Sequence, residues 1–194
     1  MENKGQWDSK VKFRGQINSG AFFLQSNGFT VLLHNPEDLQ NIMHRYHNGL
    51  IVADGKKVLH SHAYAVQFVG ANNSIEIIPE KLQNTSNNFF IGNNPSKWAT
   101  NCRIYTAFTY KNVYPNIDVR YYSDYGRLKY EFVIHPGGDV KKIAIKYEGA
   151  DNLIIKGREL LIKTSVGDVK ESSPYSYQVT KQTKESVDCR YALS

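Results

Sequence analysis

The segment from Lys111 to Ala150, KNVYPNIDVRYYSDYGRLKYEFVIHPGGDVKKIAIKYEGA, constrains the fold more than any other part of the chain. In RLKYEFVI the apolar residues Leu128, Tyr130, Phe132 and Ile134 alternate with Lys129, Glu131 and Val133. In KKIAIKYEG the residues Ile143, Ile145 and Tyr147 keep the same period. Successive side chains of a strand point to opposite faces, so this alternation predicts half-buried strands. Asp124-Tyr125-Gly126 and Pro136-Gly137-Gly138-Asp139 separate the runs and read as turns, because Gly takes positive φ without steric cost and Asp bonds to nearby backbone. Tyr114-Pro115-Asn116 reads as a corner: Pro115 has no amide proton, so the preceding strand's ladder stops there.

The same signals recur on both sides. VKFRGQI, AFFLQS and FTVLLH predict an N-terminal meander, with Asn27-Gly28 as a type I′ hairpin turn between the last two. One helix follows, with Asn35 as cap, Pro36 at its first position, Glu37 and Asp38 in its first turn, and Leu39, Ile42, Met43 and Tyr46 on one face; Gly49 stops it. After Asp54-Gly55, HAYAVQFVGA places Tyr64, Val66 and Phe68 on one side of a strand. The polar, Asn-rich stretch from Pro79 to Trp98 reads as a long connection holding one short strand, FFI. RIYTAFTY, IDVRYY, NLIIK, ELLIKT, PYSYQV and DCRYAL complete about a dozen strands. The expected fold is all-β and mainly antiparallel, a two-sheet β-sandwich-like domain with one short helix. No fixed-period repeat and no Pro- or Ser-rich linker divides residues 1–194, which read as a single module.

With 194 residues, 41% of them hydrophobic, the chain can bury a core, and disorder is excluded. The formal charge of +6 is spread along the sequence, with clusters no denser than Lys56-Lys57 and Lys141-Lys142, so no nucleic-acid stripe is expected. No run reaches the ~20 apolar residues of a membrane span, and MENKGQWDSK lacks the apolar core of a secretory signal. No nucleic-acid partner and no membrane insertion are expected. Cys102 and Cys189 have neither CxxC nor metal-ligand spacing, and read as unpaired buried thiols or a disulfide.

Candidate chemistry is sparse. His44 and His47 lie three apart on the helix, and His60 and His62 two apart on a strand; zinc needs three or four converging ligands, so neither pair makes a site and no metal or cofactor is expected. Asp118, Asp124 and Glu131 are the carboxylates a glycosidase pair would draw on, yet they read as turn and outward strand positions. Arg120 is expected to face a carboxylate in an ordinary ion pair. No nucleophile elbow, phosphate loop or HExxH is present, so no catalytic residue is assigned and a non-enzyme is expected. Trp98 closes a loop containing Asn93, Asn94 and Lys97; a Trp face stacks on sugar rings while amides and ammonium bond hydroxyls, so these four are the candidate ligand-binding residues. The alternative is that Trp98 packs inward and pins its loop, that Trp7 plugs the sandwich end, and that Tyr110, Tyr114, Tyr121 and Tyr122 form the core edge.

Four blocks, ENKGQW at 2–7, HAYAVQFVGAN at 62–72, FFIGNNPSKW at 89–98 and KNVYPNIDVRYYSDYGRLKYEFVIHPG continuing to YEGADNL and IKTSVGDVKE, carry a resemblance. They resemble the N-terminal module of large secreted, type IX secretion-associated surface proteins of Gram-negative bacteria, in which SBBP (β-propeller-type) repeats or immunoglobulin-like domains follow. The resemblance implies a secreted or cell-surface location, with this chain as a module cut from a longer protein, and assigns no activity. The expectation that follows is a noncatalytic module for adhesion, assembly or domain positioning, whose partners are other domains of the same chain, surface proteins or glycans. A carbohydrate-binding module using Trp98 is the alternative, and a glycan-active enzyme ranks below both.

Overall fold

The computed structural model describes residues 1–47, 58–180 and 183–194; the expected helix stop at Gly49, the Asp54-Gly55 turn, the Lys56-Lys57 pair and the side chains of Tyr46 and His47 lie outside what it describes. The strands in chain order are β1 (Phe13–Ile17), β2 (Gly20–Gln25), β3 (Gly28–His34), β4 (Ser61–Phe68), β5 (Glu76–Phe89), β6 (Ala99–Tyr114), β7 (Ile117–Asp124), β8 (Arg127–Ile134), β9 (Ile145–Glu148), β10 (Asn152–Lys156), β11 (Glu159–Lys163), β12 (Val169–Glu171), β13 (Ser176–Val179) and β14 (Lys184–Val187). Among the described residues there is one α-helix, α1 (Pro36–His47), between β3 and β4. The fold is all-β and sandwich-like, and the pairs β1–β2, β2–β3, β4–β9, β5–β6, β6–β7, β7–β8, β10–β11, β11–β12 and β13–β14 are all antiparallel. The chain divides into two compact units, one of residues 1–33 and 63–148, the other of residues 34–62 and 149–194.

The first unit is a two-sheet sandwich. A five-stranded sheet, β1-β2-β3-β4-β9, lies against a four-stranded sheet, β5-β6-β7-β8. Their inner faces meet through aromatic rings: Phe29 stands edge-on to Tyr121 at 5.8 Å, Phe68 edge-on to Phe132 at 5.7 Å, and Phe13 lies 4.2 Å from Phe108. Such pairs add about 0.5–1.5 kcal/mol beyond area burial. Tyr64, Val66 and Phe68 are buried on one face of β4, as the alternation predicts. Tyr110, Tyr114 and Tyr121 are fully buried in the core itself, whereas Tyr122 is half-buried with the Arg120 guanidinium 5.5 Å over its ring.

Several expectations need correction. Pro79–Trp98 is no loose connection: β5 runs fourteen residues and forms a long hairpin with β6. It sits at the sheet's edge, and Lys81 to Asn88 are all exposed, so a polar sequence satisfies a strand that has no buried face there. The β2–β3 turn falls on Ser26-Asn27, with Gln25 opposite Gly28, and neither turn residue has positive φ, so it is not type I′. Gly28 has φ +151°, and a Cβ there would sit 2.0 Å from the Val66 carbonyl oxygen; close approach to β4 explains the glycine. DCRYAL forms no strand, since β14 ends at Val187. Asp118 lies within β7 and is buried, not at a turn.

In the second unit, Asn35 caps α1 as expected, its Oδ1 accepting the amides of Glu37 (2.9 Å) and Asp38 (3.1 Å). Leu39 and Ile42 are half-buried while Met43 is exposed, narrowing the predicted apolar face. The β10-β11-β12 sheet buries Leu160 and Ile162, and β13-β14 form a separate exposed hairpin.

Tyr110 and Tyr121 stack edge to face at 5.0 Å, and neither hydroxyl has a hydrogen-bond partner. An unsatisfied buried hydroxyl costs about 1–3 kcal/mol. Tyr110→Phe keeps the ring and removes that cost, so urea unfolding is expected to show a stability gain of about 1 kcal/mol. A loss of similar size would mean that the hydroxyl is satisfied in solution.

Candidate functional site

The β5–β6 hairpin end is built by short-range bonding. Asn94 Oδ1 accepts the Ser96 amide (3.0 Å) and hydroxyl (2.8 Å), capping a 3₁₀ turn over Pro95–Lys97. The Lys97 and Trp98 amides close the turn on the Asn94 and Pro95 carbonyls, each at 3.0 Å. Trp98 Nε1 donates to the Gly92 carbonyl at 3.1 Å, and the indole stands edge-on to Phe90 at 5.5 Å and 83°. Trp98 therefore does pin its loop, yet it remains 41% exposed, beside Phe90 at 60% and Ile91 at 62%. Asn93, Asn94 and Lys97 are exposed on the same loop, so the four predicted residues come together. Part of Asn94 is structural, because its carboxamide oxygen holds the turn.

Behind this end lies the N-terminal block. Asn3 organises it: its amide donates to the Asp8 and Val11 carbonyls at 2.8 Å, and its oxygen accepts the amides of Gly5 (3.0 Å) and Trp7 (3.3 Å). Trp7 meets Phe89 edge-on at 5.2 Å with the Arg14 guanidinium over its ring at 5.8 Å, and it stays half-buried. An open groove of 660 Å³ runs beside it, lined by Glu2, Asn3, Trp7, Val11, Phe13 and Ile77. The Lys4 ammonium bonds the Thr100 (3.3 Å) and Asn101 (2.9 Å) carbonyls, tying the block to β6. Reading the sequence for chemistry missed Asn3; an Asn followed closely by Gly in a polar segment was the available signal.

The candidate carboxylates do not converge into a pair. Asp124 is bound by Lys129 across its hairpin, and Glu131 by Arg120 at 3.3 Å. Arg120 also reaches Glu80 at 3.3 Å, and Thr109 donates to the other Glu80 oxygen, a polar chain across β5 to β8. Asp118 is 3% exposed and accepts from Lys111 Nζ (2.6 Å) and the Asn112 amide (2.8 Å), with His135 Nε2 at 2.9 Å. Burial pushes its pKa upward, but bonding from Lys111, Asn112 and His135 outweighs this and holds it below the usual carboxylate range. In the second unit His60 binds Asp38 at 2.7 Å, and His62 lies 2.9 Å from the Ser165 hydroxyl and 2.8 Å from the Gly149 carbonyl. Among the described residues no three His, Cys, Asp or Glu side chains come together, and Cys102 and Cys189 are both free thiols.

Fold and surface thus define an all-β, mainly antiparallel module whose aromatic hairpin end is held by its own turn chemistry. The chain belongs to the family described as a domain of unknown function (DUF7948), whose profile matches residues 1–194. No curated protein and no solved structure gives a significant match.

Because the folded-state pKa of Asp118 is depressed, its stabilisation is present above the unfolded value of about 3.9 and is lost as pH falls through the folded value. Asp118→Asn is expected to lose about 2 kcal/mol near pH 7, with the gap to the wild-type chain narrowing below about pH 4. Chemical denaturation at stepped pH measures it; a gap that stays constant would remove the charge from the account.

Proposed function

We propose that this chain is a noncatalytic recognition module of a secreted or cell-surface protein, serving adhesion, assembly or the positioning of neighbouring domains. The observation that carries this reading is the exposed Phe90, Ile91 and Trp98 group on a hairpin end fixed by Asn94 and Gly92. Large apolar side chains held at a tip, rather than lining a cleft, suit contact with a partner more than enclosure of a reacting bond. The resemblance of the ENKGQW, FFIGNNPSKW and KNVYPNIDVRYY blocks to surface modules followed by SBBP repeats and exported by type IX secretion supports the location.

Carbohydrate recognition at the same tip is the second reading. Its support is the accessible indole of Trp98 next to the exposed amides of Asn93 and Asn94 and the Lys97 ammonium. A glycan-active enzyme ranks third, because Asp118, Asp124 and Glu131 are each engaged by cationic partners in separate places.

Incubation with insoluble cellulose, chitin and soluble cell-wall polysaccharides, at low and high salt, tests these readings together. Depletion from solution that resists salt and is lost in Trp98→Ala is the expected result for the carbohydrate reading. Absence of depletion would turn the reading to protein docking, and release of reducing ends would overturn the noncatalytic assignment.

A further inference from the structure

From Lys81 to Ile117 the sequence contains no Asp or Glu, while Lys81, Lys97, Arg103 and Lys111 fall within it. This stretch comprises nearly all of β5, the hairpin end and β6. Lys111 is held by Asp118, which leaves Lys81, Lys97 and Arg103, all exposed, as the cations of the hairpin. Of the carboxylates in the N-terminal block, Glu2 is already engaged by Lys4 at 3.3 Å and accepts the Arg103 amide at 3.0 Å, while Asp8 Oδ1 accepts the Lys10 amide at 2.8 Å. Lys97 is the cation adjacent to the exposed Trp98 and Phe90 rings, with neutral amides at Asn93 and Asn94, while Arg103, opposite Ser86, and Lys81, beyond Leu82, lie farther along the hairpin.

We propose that the β5–β6 hairpin end binds an acidic polysaccharide, one carrying uronate-type carboxylates along its chain. Sugar rings stack on Trp98 and its neighbour Phe90, the amides bond hydroxyls, and Lys97 meets a carboxylate. Each part of the surface has a role in this assignment. A neutral glycan would leave the exclusion of acidic residues without a purpose, and a protein partner would leave the amide-rich loop without one. The other exposed aromatic surface, the β13–β14 hairpin, is less suited, because the Lys184 ammonium already covers the Tyr177 ring at 3.6 Å. The inference rests on reading the hairpin end as a recognition surface.

The test uses two forms of one backbone, polygalacturonate and its fully methyl-esterified counterpart, with mixed phosphatidylglycerol and phosphatidylcholine vesicles as a third probe. Affinities are measured for the wild-type chain, Trp98→Ala, Lys97→Gln and a control, Tyr125→Ala, at the fully exposed β7–β8 turn. All three substitution sites are exposed, and circular dichroism with matched melting checks each fold. Expected is binding to polygalacturonate, weakened about tenfold by Trp98→Ala and about threefold by Lys97→Gln, unchanged by Tyr125→Ala, and at least about threefold weaker for the ester. Equal binding of acid and ester would overturn the acidic specificity and leave recognition at the hairpin standing. Binding to vesicles with none to either polysaccharide would overturn the proposal in favour of a lipid surface. Binding to no probe, or binding indifferent to Trp98→Ala, would remove the hairpin end as the glycan surface.

Discussion

The buried carboxylate of Asp118 is the interaction on which the sandwich's second sheet depends. Between Tyr110 and Tyr114 the β6–β7 register slips, because β6 carries extra residues there and Asn112 takes φ 51°. A bulge of this kind leaves an amide without a ladder partner, and Asp118 Oδ1 supplies one. The other oxygen gathers Lys111 and His135, so strand β6 and the end of β8 are fixed to the same side chain of β7. On the far side, the Asn72 amide donates to the Val113 carbonyl at 2.9 Å and its side chain donates to Asn112. A carboxylate taken out of water is tolerable only with donors of this number and charge. The corner follows directly: Pro115 and Asn116, the latter at φ 59°, make the turn, and the Asn116 carbonyl accepts the His135 amide at 2.9 Å.

The four-stranded sheet has a long exposed edge, and β5 shows how it is guarded. Pro79 lacks a donor, Lys81 takes φ 55°, and the pairing with β6 shifts register twice, between Leu82 and Ser86 and between Asn87 and Phe89. Such devices discourage the addition of another strand. What the hairpin leaves open at its end is a set of side chains, Phe90, Ile91 and Trp98.

How much of this was legible in the sequence depended on whether a residue's role was local. Alternation in β4 and in most of β8 and the Asn35-Pro36 cap are local, and the strands and the helix start stand where periodicity and capping chemistry put them, although Ile134 at the end of β8 is exposed. The placement of Asn93, Asn94, Lys97 and Trp98 on one loop was legible for the same reason, since Asn94, Lys97 and Trp98 share one turn and Asn93 precedes it. β5 was not, because a strand exposed along its edge shows no period-two pattern. The role of Gly28 was hidden too: it meets Val66, and Asn-Gly chemistry points to a turn instead. Asp118 could not be recognised as an anchor because two of its partners, Asn112 and His135, are brought to it by a bulge and by a neighbouring strand.

The unpartnered phenols of Tyr110 and Tyr121 have an optical consequence. Burial raises both pKa values, and for Tyr121 the neighbouring Tyr110 adds to the effect. Their ionisation in alkali is held back while the sandwich stays closed. The ultraviolet tyrosinate signal of this pair is thus tied to loss of the fold, giving the chain an internal indicator of its own integrity.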